Sequence, residues 1–183
     1  MLAGLLGAAA PAAFAKDCTP LAGADLSNCD LTAYSLSGVD LSNTNMYSAN
    51  LSGADLSGSN LAGANLINAN LSLTNLSGAN LSGASLNNAD LQRANLTNAN
   101  LTNASLASAD VFRATFAGAT LTGVAGSDLD GTATLPSEWK LMKGYLVGPG
   151  ANLSNANLGG LDLSRMNLSN ANLSNANMTL SLI

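Results

Sequence analysis

A period of five residues runs through most of this 183-residue chain. An apolar residue, usually leucine, occupies every fifth position from Leu21 to Leu121, and residues 151–183 return to the same spacing. An α-helix repeats its faces about every 3.6 residues and a β-strand every two, so neither element explains the pattern. The period therefore predicts short extended segments separated by equally frequent turns.

The other positions of the pentapeptide indicate how each segment is oriented. If the apolar residue is position i, then i−2 is nearly always small, i−1 is mostly Asp or Asn, and i+1 is commonly Ser or Thr. Residues two apart in extended backbone point the same way, so i and i−2 share an inward face. Position i+2 is often Gly or Asn, which tolerate the positive φ of a sharp corner. One coil could not bury its own leucines, so stability must come from stacked neighbours.

The exceptions to the pattern indicate the number of sides in a coil. Tyr47 and Ile67 break the Ser/Thr rule at i+1 and lie twenty residues apart. Arg93 and Arg113 break the Gly/Asn rule at i+2 with the same spacing. Four sides of five residues would place each pair in one column on successive coils.

The stretch "ANLSGADLSGSNLAGANLINANL" resembles the pentapeptide-repeat family, whose motif is A(D/N)LxX. The resemblance covers residues 21–121 and 151–183. It implies an all-β fold, a right-handed quadrilateral β-helix with four pentapeptides per coil. The expected organisation is a signal peptide at 1–15, a capping segment and main repeat domain at 16–121, a non-repeat insertion at 122–150, and resumed repeats at 151–183.

The first fifteen residues, "MLAGLLGAAAPAAFA", are apolar and end in an A-x-A-like site before Lys16. This is typical of a secretory signal, although the basic n-region is absent and a disordered tail is the alternative. The run is shorter than the roughly 20 apolar residues that a membrane span needs. We therefore expect an exported protein, periplasmic or extracellular, without a membrane span.

Two cysteines, Cys18 and Cys29, follow this segment. An even number of cysteines in an exported protein favours one disulfide bond. Two unpaired thiols, with Cys29 buried, are the alternative.

The insertion at 122–150 contains the single tryptophan, Trp139, and the stretch "EWKLMKGYLVG", which could form a hairpin around Lys143-Gly144. One interpretation packs Trp139 and Tyr145 over the side of the coil, and the other makes the insertion a recognition loop. The insertion of this chain has the pattern Leu-Pro-x-x-Trp…Gly-Tyr-Leu-Val-Gly-Pro and is similar to insertions in other bacterial family members. This similarity favours a structural role for the insertion.

The composition argues against catalysis. The chain has no histidine, so it lacks a Ser-His-Asp or Cys-His pair and any imidazole metal ligand. One glutamate and scattered aspartates give no paired acid and base, and the glycines fall at corners rather than in a phosphate-binding motif. We predict a non-enzymatic protein with no cofactor and no metal site.

Some family members resemble DNA and bind DNA gyrase, which makes gyrase binding the alternative function. Between Leu21 and Leu121, six aspartates and two arginines give a net charge of −4 over about five coils, or roughly 25 Å at about 4.8 Å per coil. Duplex DNA carries one charge per roughly 1.7 Å, a far higher density.

The favoured function is therefore a structural or protein-interaction role. Large or charged residues interrupt the bland Ser, Thr, Asn and Gly surface on two adjacent sides, and such residues are enriched at interface hot spots. We expect no nucleic-acid partner, and predict that a protein partner of unknown identity binds a patch formed by Tyr47, Ile67, Leu73, Arg93, Phe112 and Arg113. The repeats run to the last residue, so a homodimer through an uncapped C-terminal coil is also expected unless the sequence is truncated.

Overall fold

The computed structural model describes residues 18–183, so the predicted signal segment lies outside the described residues. Parallel bridges join residues twenty apart, beginning with Asp25 and Asn45 and continuing through Ser105 and Ala125. Four pentapeptides thus separate bridged residues, as the spacing of the exceptional residues predicted. We name the successive coils by their residues: coil 1, 21–40; coil 2, 41–60; coil 3, 61–80; coil 4, 81–100; coil 5, 101–120; coil 6, 121–135; coil 7, 148–167; and coil 8, 168–183.

Stacking satisfies the backbone of each pentapeptide. The Leu61 N–H donates to the Asn80 carbonyl at the end of coil 3 at 2.7 Å, and the Gly63 N–H donates to the Ser82 carbonyl of coil 4 at 2.9 Å. The Ser59 carbonyl of coil 2 accepts from the Asn80 N–H at 2.9 Å. A fourth bond, from the Ala64 N–H to the Leu61 carbonyl, closes the corner at 3.0 Å. A period of five is therefore stable because each short side pairs with the sides before and after it.

The apolar core is a column of leucines lined by small residues. The residues at position i from Leu26 to Phe116 are at most 1% exposed, and the alanines at i−2 from Ala64 to Ala114 are equally buried. The inward orientation of i and i−2, predicted from the alternation of extended backbone, is confirmed.

Position i+2 forms the corners. Gly53 and Gly83 have φ of 68° and 67°, and Asn68 and Asn98 have φ of 59° and 58°. This is the left-handed region, which glycine enters without steric cost and asparagine tolerates. The corner role predicted for Gly and Asn is confirmed.

The bridge pattern extends beyond Leu121 into the segment that the sequence assigned to the insertion. Asp110 pairs with Asp130, and Thr115 pairs with Thr134 nineteen residues later. The segment that departs from the stacked repeats is thus residues 136–147, shorter than the insertion at 122–150 expected from the sequence. Within it, β1 (Lys140–Met142) and β2 (Tyr145–Val147) form an antiparallel hairpin joined by Lys143-Gly144.

The hairpin lies between coils 6 and 7 on one side of the molecule. Ala125 still bridges Asn152 of coil 7, but no bridge among residues 18–183 joins Asp130 or Thr134 to that coil. Instead, the Leu129 N–H donates to the Gly144 carbonyl at 3.1 Å. The two coils are stacked directly on one side and separated by the hairpin on the other.

Cys18 and Cys29 form a disulfide bond with a Cα–Cα distance of 5.9 Å. Cys29 occupies an inward i−2 position of coil 1 and is 2% exposed. The bond ties the start of the described chain to the first coil, as expected from the cysteine pair.

Candidate interaction surface

Most of the outer surface consists of regular ladders of side-chain hydrogen bonds. In one ladder, Asn100 donates to Asn80 at 3.1 Å, Asn80 donates to Asn60 at 3.0 Å, and Asn60 donates to Asp40 at 2.9 Å. Asn60 and Asn80 each donate an amide hydrogen to the coil before and accept one from the coil after. An aspartate suits the bottom of the ladder, since it needs only to accept.

These acceptor roles lower the pKa of two aspartates that end ladders. The pKa of the Asp40 carboxyl lies below its ordinary value, chiefly because the Ser42 hydroxyl donates a hydrogen bond to the carboxylate and next because the Ser42 N–H does so. Asp55 is affected in the same way by Ser57, with a smaller contribution from Asn75. Local donors thus stabilise the charged form of these two carboxylates.

Tyr47 and Ile67 lie in one column on coils 2 and 3. Tyr47 is 41% exposed, and its hydroxyl accepts a hydrogen bond from the Asn68 amide at 3.0 Å. Ile67 is half-buried. These two residues belong to the side that precedes the arginines, and the hydrogen bond from Asn68 holds the Tyr47 side chain against coil 3.

Leu73, Arg93 and Arg113 occupy the same corner of coils 3, 4 and 5. Their N–H groups donate to carbonyls of the following coil at 2.9, 2.9 and 2.6 Å, which places the three residues in register. Their φ angles are 60°, 58° and 60°. A branched or long side chain in this conformation costs roughly 1–2 kcal/mol, and glycine would avoid that cost. Three successive coils therefore carry a destabilising residue at one corner.

We call Leu73, Arg93, Phe112 and Arg113 the arginine edge. Leu73 is 59% exposed, Phe112 is 38% exposed, and both arginines are exposed. The Arg113 guanidinium lies 5.0 Å from the centre of the Phe112 ring, within cation–π distance. Neither arginine has an ion-pair partner in the described part of the chain.

Two aspartates near the arginine edge are already engaged. Asp90 accepts the Gln92 N–H at 2.9 Å, and Asp110 accepts the Phe112 N–H at 2.9 Å. The second oxygen of Asp110 accepts from the Gln92 side-chain amide at 2.7 Å. The two carboxylates thus accept hydrogen bonds within and between coils 4 and 5, whereas the guanidinium groups remain available.

The aromatic residues of the hairpin segment serve packing. Trp139 is 8% exposed, and its ring lies against Gly148, in the space that a side chain at the inward position of coil 7 would fill. Tyr145 is half-buried, and its hydroxyl accepts the Asn157 N–H at 3.1 Å. Both residues join the hairpin to coil 7.

A cleft of about 640 Å³ opens where the hairpin separates coils 6 and 7. Gly131 and Ala133 of coil 6 line one wall, and Lys140 and Lys143 of the hairpin line the other. Gly131 lies directly over the Phe112 backbone. Lys143 donates to the Gly159 carbonyl and thereby ties the hairpin to coil 7.

The residues of the arginine edge could be predicted because they depart from the pentapeptide rule, but nothing in the sequence indicated the cleft. Gly126 and Gly131 replace the expected inward residues of coil 6, and the repeat motif does not indicate what fills that space. Leu129 and Leu146 take the space beside Gly126. Residues 18–183 contain neither a helix that could cross a membrane nor a cluster of acidic and cysteine side chains suited to a metal.

Comparison with known proteins gives a consistent family. A sequence model of the protein family described as pentapeptide repeats matches residues 24–61, 54–93, 89–124 and 150–182, which is more than half of the chain. No curated protein matches significantly.

Among solved structures, a pentapeptide repeat protein from the thylakoid lumen of Arabidopsis thaliana is 36% identical over 52% of this chain and 67% of its own, with a TM-score of 0.51. HetL, a pentapeptide repeat protein involved in heterocyst differentiation regulation from Nostoc sp. strain PCC 7120, is 27% identical over 88% of this chain and 84% of its own, with a TM-score of 0.36. QnrB1, a plasmid-mediated fluoroquinolone resistance protein, is 17% identical over 82% of this chain and 89% of its own, with a TM-score of 0.40.

Proposed function

Because this chain belongs to the pentapeptide-repeat family, we propose that it is an exported, non-enzymatic protein whose right-handed quadrilateral β-helix presents a binding surface to another protein. The proposed surface is the patch of Tyr47, Ile67, Leu73, Arg93, Phe112 and Arg113. Its partner is unidentified, and the stacked coils serve as a rigid support for it.

The observation that carries this proposal is the left-handed corner at Leu73, Arg93 and Arg113. Gly or Asn fills most other corners and would stabilise the coil here as well. Backbone strain that persists in successive repeats supports a role outside folding. Aromatic and arginine side chains, moreover, contribute most to protein interfaces.

Export is supported by the disulfide between Cys18 and Cys29, because disulfides persist in oxidising compartments outside the cytosol. The similar Arabidopsis protein comes from the thylakoid lumen. The test is the intact mass of protein recovered from each fraction of the native host, before and after reduction. An exported form beginning at Lys16, two hydrogens lighter before reduction, agrees with the proposal, whereas a full-length reduced cytosolic form contradicts it.

A DNA-mimicking role that targets gyrase has weaker support. The aspartates that would supply the negative surface are widely spaced, and Asp40 and Asp55 are occupied by local donors. The most conspicuous side chains are cationic, opposite in sign to phosphate. A gyrase supercoiling assay with purified protein checks this alternative, and no inhibition is expected.

Photocrosslinking in the native host tests the binding surface. A photoreactive residue at Gln92 lies beside the arginine edge, and the same residue at Ser82 lies on the opposite side of coil 4. A protein crosslinked from position 92, absent from position 82 and lost in Arg93→Gly/Arg113→Gly, is the expected result. Equal crosslinking from both positions would exclude this patch.

The end-to-end homodimer remains a separate prediction, checked by light scattering.

A further inference from the structure

We propose that the arginine edge binds an acidic, extended segment of a partner protein. This inference rests on the proposed protein-binding function and specifies the chemistry of the partner. Carboxylates of the segment would pair with Arg93 and Arg113, and an apolar side chain between them would lie against Phe112 or Leu73.

The charges of the edge favour a carboxylate ligand. Both guanidinium groups are exposed and lack an ion-pair partner among residues 18–183. The nearby Asp90 and Asp110 carboxylates accept hydrogen bonds from their own coils. An incoming carboxylate can therefore form a bidentate pair with either arginine without first displacing an internal partner.

The spacing favours an extended chain. Arg93 and Arg113 lie on adjacent coils, about 4.8 Å apart along the stacking direction. Alternate residues of an extended segment project on one side about 6.4–6.8 Å apart. Arginine side chains are long enough to cover this difference, so two acidic residues at alternate positions match the two arginines.

The apolar members extend the same edge. Leu73 lies one coil before Arg93, and Phe112 lies beside Arg113. Both are exposed, and each offers an apolar contact near a guanidinium. A segment that combines acidic and apolar side chains thus buries apolar area where its charges pair, which neither a free anion nor a purely acidic tract would do.

Nucleic acid carries the same sign of charge but fits less well. The chain has a net charge of −5, and Asp90, Asp110 and Asp130 line the side next to the arginines. A phosphate backbone would approach these carboxylates repeatedly, whereas a short acidic segment meets only the two arginines.

Glycine variants separate binding from folding. Arg93→Gly and Arg113→Gly remove the guanidinium groups while placing the residue best suited to φ near 60° at each corner. The matched control is Ser108→Gly, another left-handed corner in coil 5 (φ 57°) with a small side chain. Loss of binding in the arginine variant alone cannot then be attributed to unfolding.

Selection from a random-peptide library on the full chain, with prior depletion on Arg93→Gly/Arg113→Gly, identifies the preferred ligand chemistry. We expect enriched peptides with acidic residues at alternate positions and at least one apolar residue. Their affinity should fall at least about tenfold in the double arginine variant and remain unchanged in Ser108→Gly. Exchanging the acidic residues for their amides should weaken binding similarly.

Three outcomes would overturn the inference: neutral or basic enriched peptides, no enrichment over the depleted variant, or stronger arginine-dependent binding of short DNA or RNA duplexes. If selection fails while position 92 still crosslinks an arginine-dependent protein, the protein-binding function stands and only the acidic segment is rejected. If that crosslink is also absent, the proposed function itself fails.

Discussion

At the scale of single residues, the left-handed corners distinguish residues that stabilise the coil from residues that do not. Leu73→Gly, Arg93→Gly and Arg113→Gly should each raise the free energy of unfolding by about 0.5–1 kcal/mol. Relief of the left-handed conformation exceeds the extra entropy that glycine gives the unfolded chain. Urea denaturation followed by circular dichroism measures the change.

The control for the corner variants is Asn88→Gly, which should change stability by only a few tenths of a kcal/mol, because asparagine already tolerates φ of 57°. If the arginine variants were instead less stable than the wild type, their side chains would be packing against the coil. The strain argument for binding would then fail.

The lowered pKa values of Asp40 and Asp55, the aspartates that end hydrogen-bond ladders, predict a loss of stability in acid. In the folded protein the pKa of Asp40 and Asp55 is lowered from 3.8, so the folded state binds fewer protons than the unfolded chain. Their contribution is complete above pH 3.8 and disappears as pH falls through the lowered folded pKa. The urea concentration at the unfolding midpoint should therefore decrease as the pH is lowered from about 5 through the lowered pKa of the folded state.

Asp40→Asn/Asp55→Asn is the matched variant for this acid effect. It keeps an acceptor oxygen at each ladder end but removes the titrating carboxylate. Its urea midpoint should depend less on pH than that of the wild type. An unchanged pH dependence would assign acid sensitivity to other carboxylates, such as Asp162, whose pKa is also lowered by a serine.

At the scale of elements, the hairpin segment supplies core that coils 6 and 7 lack. Trp139→Ala should lower the free energy of unfolding by about 3–5 kcal/mol, because it empties the space above Gly148. Adding Gly148→Leu to Trp139→Ala should recover part of this loss by restoring an ordinary inward leucine. Circular dichroism follows unfolding without relying on the single tryptophan.

Gly148→Leu without the tryptophan change is the informative comparison, since the new side chain would collide with the ring. It should be less stable than the wild type. A stable single variant would show that Trp139 can move away at little cost, contrary to a packing role.

The disulfide is expected to stabilise mainly the first coil. Cys18 and Cys29 are eleven residues apart, for which chain entropy gives about 2.5–3 kcal/mol of stabilisation. Cys18→Ser/Cys29→Ser should therefore increase hydrogen exchange in coil 1 while coils 3 to 5 keep wild-type protection. Uniformly faster exchange throughout the described coils would mean that the first coil controls the stability of the whole stack.

The sequence predicted the hairpin turn and the disulfide but not how the hairpin is accommodated. Lys143-Gly144 lies between two apolar segments, and that local signal is sufficient for a turn. The separation of coils 6 and 7 depends on side chains distant in sequence, with Leu146 filling space beside Gly126. A motif of five residues carries no information about such contacts.

At the scale of the molecule, the period and its exceptions were enough to predict coils of four pentapeptides, which the bridges confirm. Every pentapeptide is an equivalent side, so the exceptions Arg93 and Arg113 could be assigned to one column from their spacing alone. The period does not identify a partner, because the residues that determine the fold face inward, whereas the residues proposed to meet a partner face outward.

Coil equivalence makes a prediction about deletions. Removing residues 61–80 deletes one whole coil and joins Asn60 to Leu81, so every later residue keeps its column and Asn100 comes to lie over Asn60. The variant should fold, with its length reduced by about 4.8 Å. It should unfold at a lower temperature, since one interface between coils is lost. Small-angle scattering and thermal denaturation measure the two effects.

Removing residues 61–63 provides the control for this deletion. It takes away far fewer residues, but it shifts all later leucines out of the inward column and places polar side chains in the core. That variant should unfold or aggregate. If both deletions folded equally well, the columns would not determine the fold. If only the shorter deletion folded, stability would depend on an individual feature of coil 3, such as the buried Thr74 hydroxyl that donates to the Leu51 carbonyl at 2.8 Å, rather than on nearest-neighbour stacking.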